Sequence, residues 1–243
     1  MRSARNRATG KAGHRILVKH RKEESMMTEA TVQALEGLRD LATIKWYIIP
    51  LLLVVFYIYS QEINKARRTG NWDPIFAALT VLGLDFLNET WNGWVMALTG
   101  YSAFWTTPGP TAFRVFVGWN IEIIFMFSLA GFVYYYLMSE KRDEKILGLR
   151  EKWFYAIVGT LIAVFVECLL NIGGHLVWEY PWWELSFKGI WLILIIGYFY
   201  FFAGAAIVID LKNVRQKVTF VSFVYLIPII LNIIGFGFLN LMY

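Results

Sequence analysis

Residues 74–98 read PIFAALTVLGLDFLNETWNGWVMAL. The stretch exceeds the ~20 mostly apolar residues that a membrane-spanning helix needs. Yet it contains Asp85, Asn88, Glu89 and Asn92. A carboxylate at the centre of such a helix costs about 2.5 kcal/mol or more on insertion scales, and it faces protein or a watery cavity instead of lipid. The four polar residues are related by three- and four-residue steps, so they share one helix face. A helix with that face needs neighbours to hide it.

The rest of the chain supplies the neighbours. Of 243 residues, 58% are hydrophobic and 18% aromatic, against about 45–50% apolar in a soluble domain. Six hydrophobic segments stand out, at Ile44–Ser60, Pro74–Leu98, Phe113–Met138, Trp153–Trp178, Gly189–Asp210 and Val218–Met242. The expected fold is an all-α polytopic membrane bundle of about six transmembrane helices over residues 44–243. Its short connections imply antiparallel neighbours. Asp73-Pro74 makes a good helix start, and Thr106-Thr107-Pro108-Gly109-Pro110 a turn. Pro50 and Pro228 are expected to kink the first and sixth helices. Apolar residues at helical spacing in 28–43 suggest a short helix lying at the interface. The single cysteine, Cys168, reads as a buried small residue. The chain shows no internal repeat of the transporter kind.

The formal charge of +5 belongs to the N-terminus. Eight basic and two acidic side chains within residues 1–25 supply +6, which leaves −1 elsewhere. Residues 1–27 read as a disordered basic tail. Basic residues also crowd the connections 61–73, 139–152 and 211–217, while the second and fourth are nearly free of them. The positive-inside rule puts those three loops in the cytoplasm and both termini outside. A strongly basic tail resists that translocation, and translation starting at Met26 or Met27 removes the conflict.

In this orientation Glu122, Glu167, Asn171 and His175 fall, like Asp85, Glu89 and Asn92, between the midplane and the outer surface. Glu167, Asn171 and His175 follow steps of four and form a second polar stripe, flanked by Gly173 and Gly174. Glu122 is expected to share a face with Gly118 and Trp119 and to look toward the others. Asn120 points elsewhere and could tie two helices. The candidate reactive groups are therefore Asp85, Glu89, Glu122, Glu167 and His175. Trp91, Asn92, Trp119, Asn171 and Trp178 are candidates for the substrate wall. The aromatic run Trp178-Glu179-Tyr180-Pro181-Trp182-Trp183 is either an interfacial belt or the roof of the cavity mouth.

Four acids without a nearby Lys or Arg cannot all ionise in a low dielectric; they stay protonated, share protons or bind a cation. A neutral carboxylic acid in an apolar cavity can protonate an alkene or epoxide, and a second carboxylate can take a proton elsewhere. Indole faces at Trp91, Trp94 and Trp119 could stabilise a carbocation. The pattern Asp85-x-x-x-Glu89-x-Trp91, followed by Glu122, resembles the emopamil-binding sterol isomerases and the small membrane-bound terpene cyclases compared with them. The resemblance covers the second and third helices only. It implies proton-driven isomerisation or cyclisation by buried acids in a compact bundle. The sequence departs from the sterol isomerases at Asp85, where they have His, and the Glu167/Asn171/His175 stripe has no counterpart.

The expected function is thus isomerase- or cyclase-type acid/base chemistry on an apolar lipid or isoprenoid. The alternative is a metal- or proton-coupled transporter or binding protein. No cofactor is expected, although carboxylates with one imidazole could hold a divalent metal; a di-iron site would need Glu-x-x-His pairs that are missing here. Membrane lipids and an apolar small molecule are the expected partners, with a homodimer left open. Topology explains the basic loops, so no nucleic-acid partner is expected, and no phosphate-binding glycine loop is present.

Overall fold

The computed structural model describes residues 26–139 and 144–243. The expected disordered tail lies outside them apart from its last two residues, as do Lys141 and Arg142 of the third connection. The chain is predominantly helical. A short α1 (Glu29–Leu35) precedes α2 (Ile48–Thr69) and α3 (Asp73–Thr99). After β1 (Trp105–Thr106) come a hairpin of β2 (Arg114–Phe116) and β3 (Trp119–Asn120), then α4 (Ile121–Leu137). A second small hairpin, β4 (Lys145–Ile146) and β5 (Leu149–Arg150), leads into α5 (Glu151–Ile172). After β6 (Val177–Trp178) the chain ends with α6 (Gly189–Asp210) and α7 (Val214–Phe238). Both last helices contain π-helical turns, at Ile193–Phe199 and Ile233–Phe238.

Local chemistry sets most boundaries. Thr28 caps α1 by accepting from the Thr31 N–H at 3.3 Å, but Gly37 (φ 69°) and Arg39 (φ 55°) soon turn the chain. The expected helix over 28–43 is therefore seven residues long, and a single 3-10 turn follows at Leu41–Thr43. Pro50 lies not in the interior of α2 but in its first turn, where its missing N–H has no intrahelical partner to lose. Asp73-Pro74 opens α3 as expected, and left-handed Gly70 and Gly100 end α2 and α3.

Two segments depart from the sequence reading. Residues 113–120 form the β2–β3 hairpin, so α4 begins at Ile121, with Asn120 as its cap accepting from the Ile123 N–H at 3.0 Å. Asn120 therefore ties no helices together. The fourth segment stops at Ile172, because Gly173 and Gly174 (φ 72°) end α5 instead of flanking a continuing stripe.

Among the described residues, three helices, α5, α6 and α7, are long and apolar enough to cross a membrane by length and composition. The others miss for identifiable reasons. Helix α4 is apolar but has 17 residues, α2 carries Glu62, Lys65, Arg67 and Arg68, and α3 carries the polar face. That polar helix is the hub of the bundle, packing against α4, α6 and α7. Asp85, Asn88, Glu89 and Asn92 are all buried on it. Small residues let the helices approach closely. A Cβ on Gly131 of α4 would fall 2.4 Å from the Cα of Ala78, and one on Gly204 of α6 would fall 2.5 Å from Leu84.

Long helices run back and forth between two ends. At one end α1, the 100–120 loop, the 173–188 loop and the C-terminus join in a cap. Thr31 meets Ser102 (2.9 Å), Thr28 donates to Glu179 (3.0 Å), Tyr180 donates to the Ser102 carbonyl (2.9 Å), and Arg39 donates to the Tyr243 carbonyl (3.4 Å). Helix α1 thus docks on the cap, burying Thr31 and Ala34. Buried Arg114 pins it by donating to the carbonyls of Ala34, Glu36 and Gly109 at 2.8–3.2 Å. Connections one, three and five gather at the opposite end, where Lys217 pairs with Asp73 (2.5 Å), Lys152 with Asp210, and Asn71 with Tyr135 (2.8 Å).

The backbone contact at Gly131 leaves no room to relax. Gly131→Ala is expected to lower the thermal unfolding midpoint in detergent, at a cost of about 1–3 kcal/mol typical of overpacking. Gly237→Ala, which would meet nothing within 4 Å, should leave the midpoint unchanged.

Candidate functional site

Three of the four predicted carboxylates converge. Asp85 and Glu89 from α3 and Glu167 from α5 line one cavity of about 20 Å³. All three are buried, with exposures of 2%, 3% and 8%. Asn88, Trp105, Trp183, Gly197 and Tyr198 complete its polar and aromatic wall, and α4 and α5 add apolar residues that include Met126, Phe127 and Val166. Among the described residues, no Lys or Arg lines it. The Tyr198 phenol lies within electrostatic reach of all three acids, with Glu167 as its strongest neighbour.

Indole N–H groups hold the α3 face in place. Trp119 donates to Asp85 Oδ2 at 2.7 Å, Trp105 to Glu89 Oε1 at 2.8 Å, and Trp91 to Asn88 Oδ1 at 2.7 Å. The Asn88 amide in turn donates to the Gly197 carbonyl (3.3 Å), inside the π-helical turn of α6. A π turn shifts the hydrogen-bond pattern by one residue and recurs at functional sites. Two of the three donors, Trp105 and Trp119, sit on cap strands and not on helices. Asn92 fixes one of them. Its side chain accepts from the Phe104 N–H (2.8 Å) and donates to the Trp105 carbonyl (2.9 Å). Gly118 brings the hairpin against the acids; a Cβ there would lie 2.7 Å from Glu89 Oε2.

Other predicted residues lie elsewhere. Glu122 is in the first turn of α4 and accepts from Tyr47 (2.6 Å), Thr111 (2.5 Å) and the Ala112 N–H (2.8 Å). It joins α2 to the cap and does not line the cavity, because Gly118 and Trp119 belong to the hairpin and set no helical phase for it. His175 is exposed in the turn beyond α5, and Asn171 closes that turn by donating to the Leu176 carbonyl at 3.1 Å. Trp178 is buried in the β1–β6 pairing, opposite Trp105. Trp91 packs edge-on against Phe104, Trp105 and Trp183. Within the predicted aromatic roof, Trp183 reaches the cavity and Trp182 is 46% exposed.

Trp105 and Tyr198 line the cavity although nothing in the sequence marks them as site residues, and Trp183 enters the sequence reading only as part of the aromatic run. Trp105 and Trp183 carry the same signal as interfacial aromatics, and Tyr198 is one aromatic in a fully apolar helix. Among the described residues, no three His, Cys, Asp or Glu side chains are placed to hold a metal ion.

A polar helix wrapped by apolar ones, with its acids turned inward, defines an integral membrane protein. The chain belongs to an uncharacterized membrane protein family, which it matches over residues 28–237. It is also similar to a protein of Archaeoglobus fulgidus described as "Uncharacterized protein". The two are 43% identical over 192 residues, covering 79% of this chain and 88% of that relative. No solved structure matches the chain.

Asn92→Ala would strand the Phe104 amide and the Trp105 carbonyl. The expected cost is about 1–3 kcal/mol, read as a lower unfolding midpoint, with faster hydrogen exchange at the Phe104 amide.

Proposed function

We propose that all six long helices cross the bilayer, with the cap outside, and that the cavity is an acid/base centre acting on an apolar lipid or isoprenoid. The observation that carries this reading is the convergence of Asp85, Glu89 and Glu167 in one buried cavity without a cation. Acids so placed keep protons to donate and can take protons back. The cap supports the topology: both described chain ends and the even-numbered connections meet there, while the basic connections gather opposite.

Access comes from the lipid side, between α4 and α5. These helices touch sparsely, and Met126, which lines the cavity, is 41% exposed. Size limits what enters. A cavity of about 20 Å³ has room for about one water, whereas sites that enclose a drug-sized ligand run to ~300 Å³ or more. The lipid body therefore stays between the helices, and α4 and α5 part to admit its reacting carbon. Resemblance to the sterol isomerases and terpene cyclases adds the reaction type, isomerisation or cyclisation. In this reading Asp85, Glu89 and Glu167 exchange protons with the lipid, Trp105 and Trp119 orient two of them, and Glu122 braces the cap.

The cavity's small volume also favours a second reading, a proton relay in a coupled transporter, for which a second copy of the chain could complete the path.

Deuterium tests the first reading. Protein in vesicles containing polyprenols, sterols or quinones is incubated in heavy water, and the lipids are read by mass spectrometry. Carbon-bound deuterium is expected in one lipid class. Glu89→Gln and Glu167→Gln should lose about 100-fold or more of it, the usual scale of acid–base catalysis, and Glu122→Gln should retain it. Absence of label from every lipid class, with proton leak into dye-loaded vesicles that Glu89→Gln abolishes, would establish the relay instead.

A further inference from the structure

Two residues that line the acid cavity each carry a buried polar atom without a partner among the described residues. Glu89 Oε2 accepts no hydrogen bond, and Trp183 Nε1 donates none. Both side chains are nearly enclosed, at 3% and 2% exposure, and both line the same cavity of about 20 Å³. One is an acceptor and the other a donor. A native interior seldom leaves such groups unsatisfied.

From this pairing we propose that the cavity is a binding site for a single water molecule, which accepts from the Trp183 indole and donates to Glu89 Oε2. The volume matches. A buried water needs roughly 10–15 Å³ on this measure and two to four polar partners. Asp85, Glu167, Gly197 and Tyr198 line the same space and offer further polar groups to it. Neighbouring groups on this face have partners: Asn88 bonds Gly197 and Trp91, Asn92 bonds the Phe104–Trp105 backbone, and one oxygen of Asp85 accepts from Trp119. Glu89 has one oxygen held by Trp105 and one without a partner among the described residues.

The water gives the acids a path. A proton on the water can pass to Glu89 Oε2 while the water takes another from a neighbouring carboxyl or from the Tyr198 phenol. Charge and atoms balance without any further reactant. This step rests on the acid/base reading of the site, but the water's presence does not.

Infrared spectroscopy of the full chain in lipid tests it. Exchange into ¹⁸O-water should shift an O–H stretching band of a strongly hydrogen-bonded water, and that band should be lost in Trp183→Phe and in Glu89→Leu. A band unchanged in a folded Trp183→Phe overturns the proposal. If that variant does not fold, a crystal structure of the unmodified protein decides, through density within hydrogen-bond distance of both Glu89 Oε2 and Trp183 Nε1 or its absence. A water band without deuterium in any lipid would defeat the lipid chemistry and leave the water site standing. Deuterated lipid without the band would do the reverse.

Discussion

Lipid offers no hydrogen bonds, so the polar groups that α3 carries into the bundle need partners from the protein or from water that it encloses. The geometry around Asp85, Asn88, Glu89 and Asn92 follows from that constraint. Each is buried on the hub helix, and each finds a donor or acceptor from another part of the chain or one turn along. The same demand explains the hub. A helix with this polar face is excluded from the lipid boundary, and α4, α6 and α7 close around it. Small residues at Gly131 and Gly204 make the enclosure tight.

Partners for the acids come largely from outside the helices. Trp105 and Trp119 belong to short strands of the cap, and both reach in to a carboxyl of α3. The cap is in turn held by Arg114, Asn92 and the contacts of α1. A surface feature and an interior one are thereby a single hydrogen-bonded unit. Glu122 contributes to that unit from its outer edge, through Tyr47 and Thr111.

Much of this was legible in sequence where periodicity governs. The shared face of Asp85, Asn88, Glu89 and Asn92 and the start of α3 at Asp73-Pro74 followed from local spacing alone. Glu167 faced the same cavity for the same reason, being well inside a regular helix. Reading failed where a helix was extended past its signals. Gly173-Gly174 ended α5 and removed His175 from the stripe. The hairpin at 114–120 broke the assumed phase that linked Glu122 to Gly118 and Trp119. Turn chemistry over Thr106–Pro110 hinted at irregular structure, but the strand pairing that follows depends on contacts with residues far along the chain. The same holds for Trp105, Trp183 and Tyr198. An indole at an interface and an indole aimed at a carboxylate look alike until the tertiary contacts are known.

The placement of Trp105 and Trp119 also bears on how the chain is built. Helix α3 emerges before either tryptophan, and its acids each cost about 2.5 kcal/mol or more to insert alone. Their donors are synthesised only with the next connection, and Glu167 and α6 later still. In the proposed six-span topology, integration of α3 is therefore coupled to the hairpin that supplies these donors and to the helices that surround it.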